Sequence, residues 1–322
     1  MLVSELRKEI EKYDKNELKN IIVELYKRIP KNKKEDYNID EFIKDVKKSK
    51  TNTKKEVLFE DLQKEVIYFL QLVDNDYYAI PNKIVSKKER SSWRFKVKRY
   101  YKELNNILPN AKDGNRATIL LIEIFKRLSI GSNRLLFINW DTFRALGVSQ
   151  GEYYDVIMKR ILYNGYTKEN LEKCIDLLDI LKDPSELSYD MFWIFISNLK
   201  TIDNKEIALK LLIDKVSALK IELKAAKNSH QEYDITENIN NYVECILEIY
   251  LTMNEYECAI AYYHKNYIED NKEVKEYILL EKLEELDLIK EWIKEYENNN
   301  NIKYRDSINE KYTKFKNLKK EN

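Results

Sequence analysis

A chain of 322 residues that is 43% apolar and 35% charged can bury a core, which excludes the disordered and collagen-like classes. Five glycines and four prolines are too few for a sheet protein built on many tight turns, and favour long helices. The net charge of +1 hides an asymmetry: residues 1–110 carry 26 Lys/Arg against 19 Asp/Glu, a balance of +7, and the remainder a balance of −6, so the two halves present different electrostatic faces to partners or to each other.

From the N-terminus, MLVSELRKEIEKYDKNEL is charged from residue 5 onward and lacks the apolar run of a signal peptide. Leu2, Leu6 and Ile10 precede the capping pair Asp14/Glu17, and Leu18, Ile21, Ile22, Leu25 and Ile29 follow it at helical spacing until Pro30. An antiparallel helix pair is the expectation. Lys44–Lys55 reads as a polar, basic loop or linker. A helix from about Val57 to Val73 follows, with Leu58, Leu62, Val66, Phe69 and Val73 on one stripe. The pair Ser86/Glu89 then opens a helix over Lys87–Leu108 that Pro109 stops. Residues 117–128 are apolar nearly all round, as expected of a helix packed from two sides; the run Ala117–Phe125 is interrupted by Glu123 and too short to span a bilayer. Gly131, Gly147 and Gly151 cluster around WDTFRALG and place a boundary near residue 150, where Ser149/Glu152 caps the next helix. Asp203/Glu206 is a further capping pair.

Beyond residue 150 an internal period emerges. Cys174-Ile175, Ala208-Leu209 and Ala259-Ile260 each mark an early position of a second helix in a hairpin, with Leu178, Leu212 or Tyr263 four residues after the first member. The first spacing is 34 residues and the second 51; the surplus falls in Ala218–Asp234, where an extended charged helix and loop are expected. A further hairpin is expected over Val274–Leu286 and Asp287–Glu297. After Asn298–Asn301, Tyr304, Ile308, Tyr312 and Phe315 form the stripe of a last amphipathic helix, read as a cap closing the array or as a partner-binding tail.

The segment Tyr242–Asn271, and above all YECAIAYYHK (Tyr256–Lys265), resembles a tetratricopeptide repeat. Val243, Ile246, Tyr250, Tyr256, Ala259 and Tyr263 occupy that family's main packing positions, with the small Ala259 letting the two helices approach. In the preceding repeat Phe192, Phe195, Leu199 and Ala208 match while Lys205 replaces an aromatic. In the first, Gly165 stands where a large residue is usual; after the second helix of the best-matched repeat, Asn271 replaces the common proline. The resemblance implies a divergent array in which the first helices line a concave groove. Asn241, Glu244, Cys245, Glu248 and Thr252 would face it in the best repeat, and Asp190, Trp193 and Ser197 in the one before. Repeats that clamp acidic peptide ends need Lys and Asn there; this groove is mixed to acidic, so a neutral or basic segment is the expected ligand.

Chemistry is sparse by comparison. The two histidines, His230 and His264, fall on different elements, and His264 reads as a surface or inter-repeat residue. No HExxH, GxSxG, GxxxxGK[ST] or GxGxxG occurs, and no acidic residue stands in an apolar context that would tune a general acid. Cys174, Cys245 and Cys258 show no CxxC spacing and read as reduced thiols of a cytoplasmic protein, Cys245 and Cys258 as small packing residues. The sharp electrostatic feature is SKKERSSWRFKVKRYYKELNNIL (Ser86–Leu108). Trp93, Val97, Tyr100, Leu104 and Ile107 make its apolar stripe, while Lys87, Lys88, Arg90, Arg94, Lys96, Lys98, Arg99 and Lys102 crowd the remainder and could track phosphates. The same cations also suit a solvated face, or docking to the acidic half.

The sequence therefore implies an all-α protein: a basic helical N-terminal region (1–150), then a right-handed helix-hairpin α-solenoid of TPR-like repeats (151–297), then a linker and amphipathic helix (298–322). The expected function is a protein- or peptide-binding adaptor, non-enzymatic and without cofactor or metal. The rival is a nucleic-acid-associated protein in which the basic helix holds phosphates and the array recruits a partner. An enzyme using carboxylates between the halves, and an effector-responsive regulator, are further possibilities. No membrane association is expected.

Overall fold

The computed structural model of the chain describes residues 3–30, 33–34, 39–44, 59–138, 142–180, 189–299 and 301–321, and every regular element among them is a helix. The first are α1 (Val3–Ile10), α2 (Lys15–Arg28), α3 (Ile39–Lys44), α4 (Phe59–Asp74), α5 (Lys87–Arg90), α6 (Trp93–Asn105), α7 (Gly114–Asn133) and α8 (Thr142–Leu146). There follow α9 (Gln150–Leu162), α10 (Lys168–Asp176), α11 (Tyr189–Asn198), α12 (Ile202–Lys224), α13 (Ser229–Thr252), α14 (Tyr256–Asn266), α15 (Lys272–Glu285), α16 (Ile289–Asn298) and α17 (Asp306–Glu321). Almost all of the expected linker Lys44–Lys55, and Trp140 and Asp141, lie outside the described residues.

Side-chain capping sets where these helices begin. Asp14 and Ser149 each accept the N–H three residues on, while Glu17 and Glu152 reach back to the cap N–H, closing capping boxes on α2 and α9. Ser86 accepts from the Glu89 N–H, but the Glu89 carboxylate instead takes the Tyr77 hydroxyl. The expected pair Asp203/Glu206 is displaced: Thr201, held extended at φ −122°, caps α12 by accepting the Asn204 N–H at 3.2 Å, and Asp203 lies in the first turn, where its charge favours the helix N-terminus. The single helix expected over Lys87–Leu108 is two. Ser91 donates its hydroxyl back to the carbonyls of Lys87 at 2.7 Å and Lys88 at 3.2 Å, a side-chain bond that competes with the helical ladder. α6 starts afresh at Trp93 and ends at Asn105.

The chain divides into two compact units, Met1–Asp61 and Leu62–Asn322, so residue 150 lies inside the second. In the first unit α2 buries none of its residues; Ile22, Val23 and Leu25 are 53, 51 and 57% exposed. Tyr26 of α2 donates its hydroxyl to Asp40 of α3 at 2.6 Å.

The second unit holds the core. α7 packs against α6 and α8 and also against α9, as its apolar circumference predicts, with Ala117, Leu121, Ile124, Phe125 and Leu128 buried. Gly131 of α7 is dictated by close approach: a Cβ there would lie 2.4 Å from the Phe137 ring. α9 is tied to α7 through buried Arg160, whose Nε donates to Thr118 Oγ1 at 3.0 Å and whose guanidinium loses proton affinity through burial. These contacts bridge residue 150, which is why no division falls there.

C-terminal to α9 the helices alternate. α9 packs on α11 and α11 on α13, α10 packs on α12, and α13 closes hairpin contacts with α14, as α15 does with α16. The periodic positions Cys174, Ala208 and Ala259 are all fully buried, with Leu178, Leu212 and Tyr263 beneath them. Cys174 sits near the end of the short α10 rather than early in it. α12 runs on to Lys224 before a short turn, absorbing the extra 17 residues of the second spacing. α17 turns its stripe onto α16, with the Phe315 ring 5.1 Å from that of Trp292 in an edge-to-face pair.

Candidate functional site

α11, α13 and α15 frame a cleft of about 300 Å³. Asn241, Glu244, Cys245, Glu248 and Thr252 line it from α13, because spacings of three, four, seven and eleven residues fall on one face of a helix. Trp193 lines it from α11 with 64% of its surface exposed, an unusual state for so large an aromatic side chain. Six residues expected from the sequence to share a groove are thus together. Ser197 is exposed but not part of the wall; it donates its hydroxyl to its own helix at Ile194 O, 3.0 Å away. The side chain of Asp190 lies outside the described residues.

The far wall was not foreseen. Lys282, Glu285 and Leu286 supply it from α15 and its C-terminus. The Lys282 side chain is 6% exposed and pairs with Glu248 at 2.9 Å and Glu285 at 3.1 Å. The signal available in the sequence was the continuation of the same first-helix face into the next hairpin. The cleft therefore carries three carboxylates (Glu244, Glu248, Glu285) against one ammonium, Lys282. Cys245 contributes no nucleophile: burial pushes its thiol well up, so it stays protonated, and all three cysteines are free.

The basic segment is less free than its composition implies. Arg90 donates to the carbonyls of Ala79, Ile80 and Val85 at 2.9, 2.6 and 3.1 Å. Arg94 bonds Ser91 O, Lys96 donates to the Tyr78 hydroxyl at 3.1 Å, and Arg99 pairs with Glu65. Lys87, Lys88, Lys98 and Lys102 remain exposed, and among the described residues they make no ion pair. Trp93 and Tyr100 are buried, as their place on the stripe predicts; the exposed aromatic on this face is Phe95, 74% exposed.

One expectation about acidic residues is corrected. Glu276 and Glu295 are 4 and 5% exposed, and burial pushes the Glu276 carboxyl up to about 7. Glu276 precedes Tyr277-Ile-Leu-Leu280, and its carboxylate meets His264 of α14 and Asn299 just after α16, the helices on either side of its own. His264 bridges the two, its pKa raised by its bond to Glu295.

Among the described residues no helix is long and apolar enough to cross a membrane. Neither a protein-family model, nor a curated protein, nor a solved structure matches the chain.

Proposed function

We propose that residues 151–297 form a divergent TPR-like helical-repeat array, and that the protein is a non-enzymatic adaptor whose α11–α13–α15 cleft binds a neutral or basic segment of a partner protein. The observation that carries this reading is the convergence of Trp193, Asn241, Glu244, Glu248 and Thr252 on one cleft with excess negative charge. An exposed Trp offers a large rigid contact of the kind that dominates binding energy. The surrounding carboxylates favour cationic partners and raise their rate of encounter. The free thiols fit a reducing, cytoplasmic setting.

The test is binding of basic, neutral and acidic peptide libraries to the full chain. Basic or neutral sequences are expected to be selected. Trp193→Ala should weaken them by about 2 kcal/mol or more, and Glu244→Lys should reverse the charge preference. Selection of acidic peptides, or binding indifferent to both substitutions, would overturn the reading.

A second reading rests on Phe95, exposed on α6 three and seven residues before Lys98 and Lys102, with exposed Lys87 and Lys88 on α5. Exposed aromatics beside unpaired cations suit single-stranded nucleic acid, which stacks a base and follows the charges. RNA and DNA binding at low and physiological salt separates the two. With four free lysines the dependence on log salt should have a slope of about −3, lost when Lys98 and Lys102 become Glu. Absence of binding at low salt makes this face structural.

A further inference from the structure

Three successive helices bring His264 (α14), Glu276 (α15) and Glu295 (α16) to one point inside the second unit. One ligand atom from each lies within 4.8 Å of the other two. Glu295 Oε1 stands 2.7 Å from His264 Nε2, and Glu276 Oε1 stands 3.4 Å from Nδ1. The carboxylate side chains are 5 and 7% exposed and the imidazole 33%, so the cluster is buried on its acidic side and reachable from solvent past the histidine.

Two further groups surround it. Asn299 Nδ2 donates to Glu295 Oε1 at 2.7 Å and is 3.3 Å from Glu276 Oε2, orienting both carboxylates. Tyr304, 8% exposed and stacked on Tyr296, has a buried hydroxyl without a hydrogen-bond partner; burial raises its pKa, and the charges of Glu276 and Glu295 add to that rise. A buried hydroxyl left unpaired costs free energy and demands an explanation.

The charge balance points the same way. Two buried carboxylates meet a single imidazole there. The adjacent ammonium, Lys275 Nζ, is directed at the carbonyls of His264 and Tyr267 at 2.9 and 2.8 Å. A net charge in the interior is costly unless compensated. A divalent cation with a neutral imidazole balances the site, and asparagine support of the ligating carboxylates is the arrangement metal sites use.

We propose that His264, Glu276 and Glu295 ligate a divalent first-row transition-metal ion of the zinc class, with the buried Tyr304 hydroxyl as the polar neighbour of the open coordination position. An imidazole nitrogen among the donors selects zinc-like ions over magnesium or calcium, which take oxygen. Bound there, the ion pins α14, α15 and α16 together, and α15 also carries Lys282 and Glu285 of the cleft. The site stands independently of the peptide-binding reading.

The experiment is titration of the chelator-stripped full chain with zinc sulfate by calorimetry, with cobalt(II) absorption and the melting temperature as further readouts. One zinc per chain, a cobalt spectrum with imidazole and carboxylate character, and a raised melting temperature are expected. Asn299→Ala, which removes only the supporting donor, should weaken binding about 10–100-fold, and Glu276→Gln or Glu295→Gln, which keep the side-chain shape, by more. His230→Ala, at an exposed helix position, should leave binding unchanged. The proposal fails if the wild-type chain takes up no stoichiometric zinc, or if a Glu276→Gln/Glu295→Gln double variant of unchanged helix content binds it equally well.

Discussion

α2 and α13 begin alike and end differently. Each starts on a short polar cap, Asp14 or Asn228, whose side-chain oxygen accepts the backbone N–H three residues on, and each carries apolar residues at helical spacing. α13 buries nine of its residues and α2 buries none. α13 is enclosed by α11, α12 and α14, whereas α2 keeps Ile22, Val23 and Leu25 more than half in water. Capping and periodicity are enough to select a helix; stability comes from what lies across from its apolar face. The packed helices on either side of α13 supply that neighbour.

The largest effect expected from this comparison is in the core of the second unit. Phe125→Ala removes a fully buried ring in contact with Phe143 and Tyr153, and should cost about 3–5 kcal/mol in chemical denaturation. Ile22→Ala, on the exposed face of α2, should change stability by no more than about 0.5 kcal/mol. Similar losses at the two sites would mean that the first unit has a core of its own, and the contrast would break.

Overpacking comes next. Ala208 and Ala259 have no exposed surface at the points where neighbouring helices approach. Ala259→Leu should destabilise by about 1–3 kcal/mol, whereas a tolerant Ala259 would mean that the helices are free to separate. Smaller still, and alike in both units, are the caps. Ser149→Ala and Asp14→Ala should each cost about 1 kcal/mol, read as faster amide exchange in the first turns of α9 and α2. A marked inequality would show that capping here depends on tertiary surroundings.

The smallest effect on stability is expected from chemistry at sulfur. Cys258 is exposed, Cys245 is buried with its thiol held protonated, and burial pushes Cys174 up to about 12. The attacking species is the thiolate, so an alkylating reagent at pH 8 should label Cys258 alone in the native protein and all three after denaturation. Mass spectrometry reads the labelling, and the melting temperature of the singly modified chain should be unchanged. Rapid native labelling of Cys174 would mean that α10 opens readily, as a short helix next to Gly165 could.

Much of the candidate cleft was legible because it depends on one helix. Asn241 through Thr252 share a face of α13 by spacing alone, and Trp193 followed from the equivalent face of α11. Lys282 and Glu285 could be placed on a matching helix face but not paired, since the Glu248 ion pair depends on how α15 sits against α13. Nor was the break legible at Ser91, where two hydroxyl-to-carbonyl bonds outweigh an unbroken amphipathic pattern.

What the sequence by itself determined is what acts over a few residues. The helical class, the capping boxes at Asp14 and Ser149, the stripe that buries Trp93 and Tyr100, and the small residues at Ala208 and Ala259 all follow from side-chain size, polarity and a period of 3.6. What only the tertiary structure decided is what needs groups far apart in the chain to meet. It commits Arg90, Lys96 and Arg99 to intramolecular partners, fills the far wall of the cleft from α15, and gathers His264, Glu276 and Glu295 among three helices. Each of those outcomes turns on desolvation and charge compensation. A local pattern does not specify them, because the surrounding dielectric and the opposing charge are supplied by other helices.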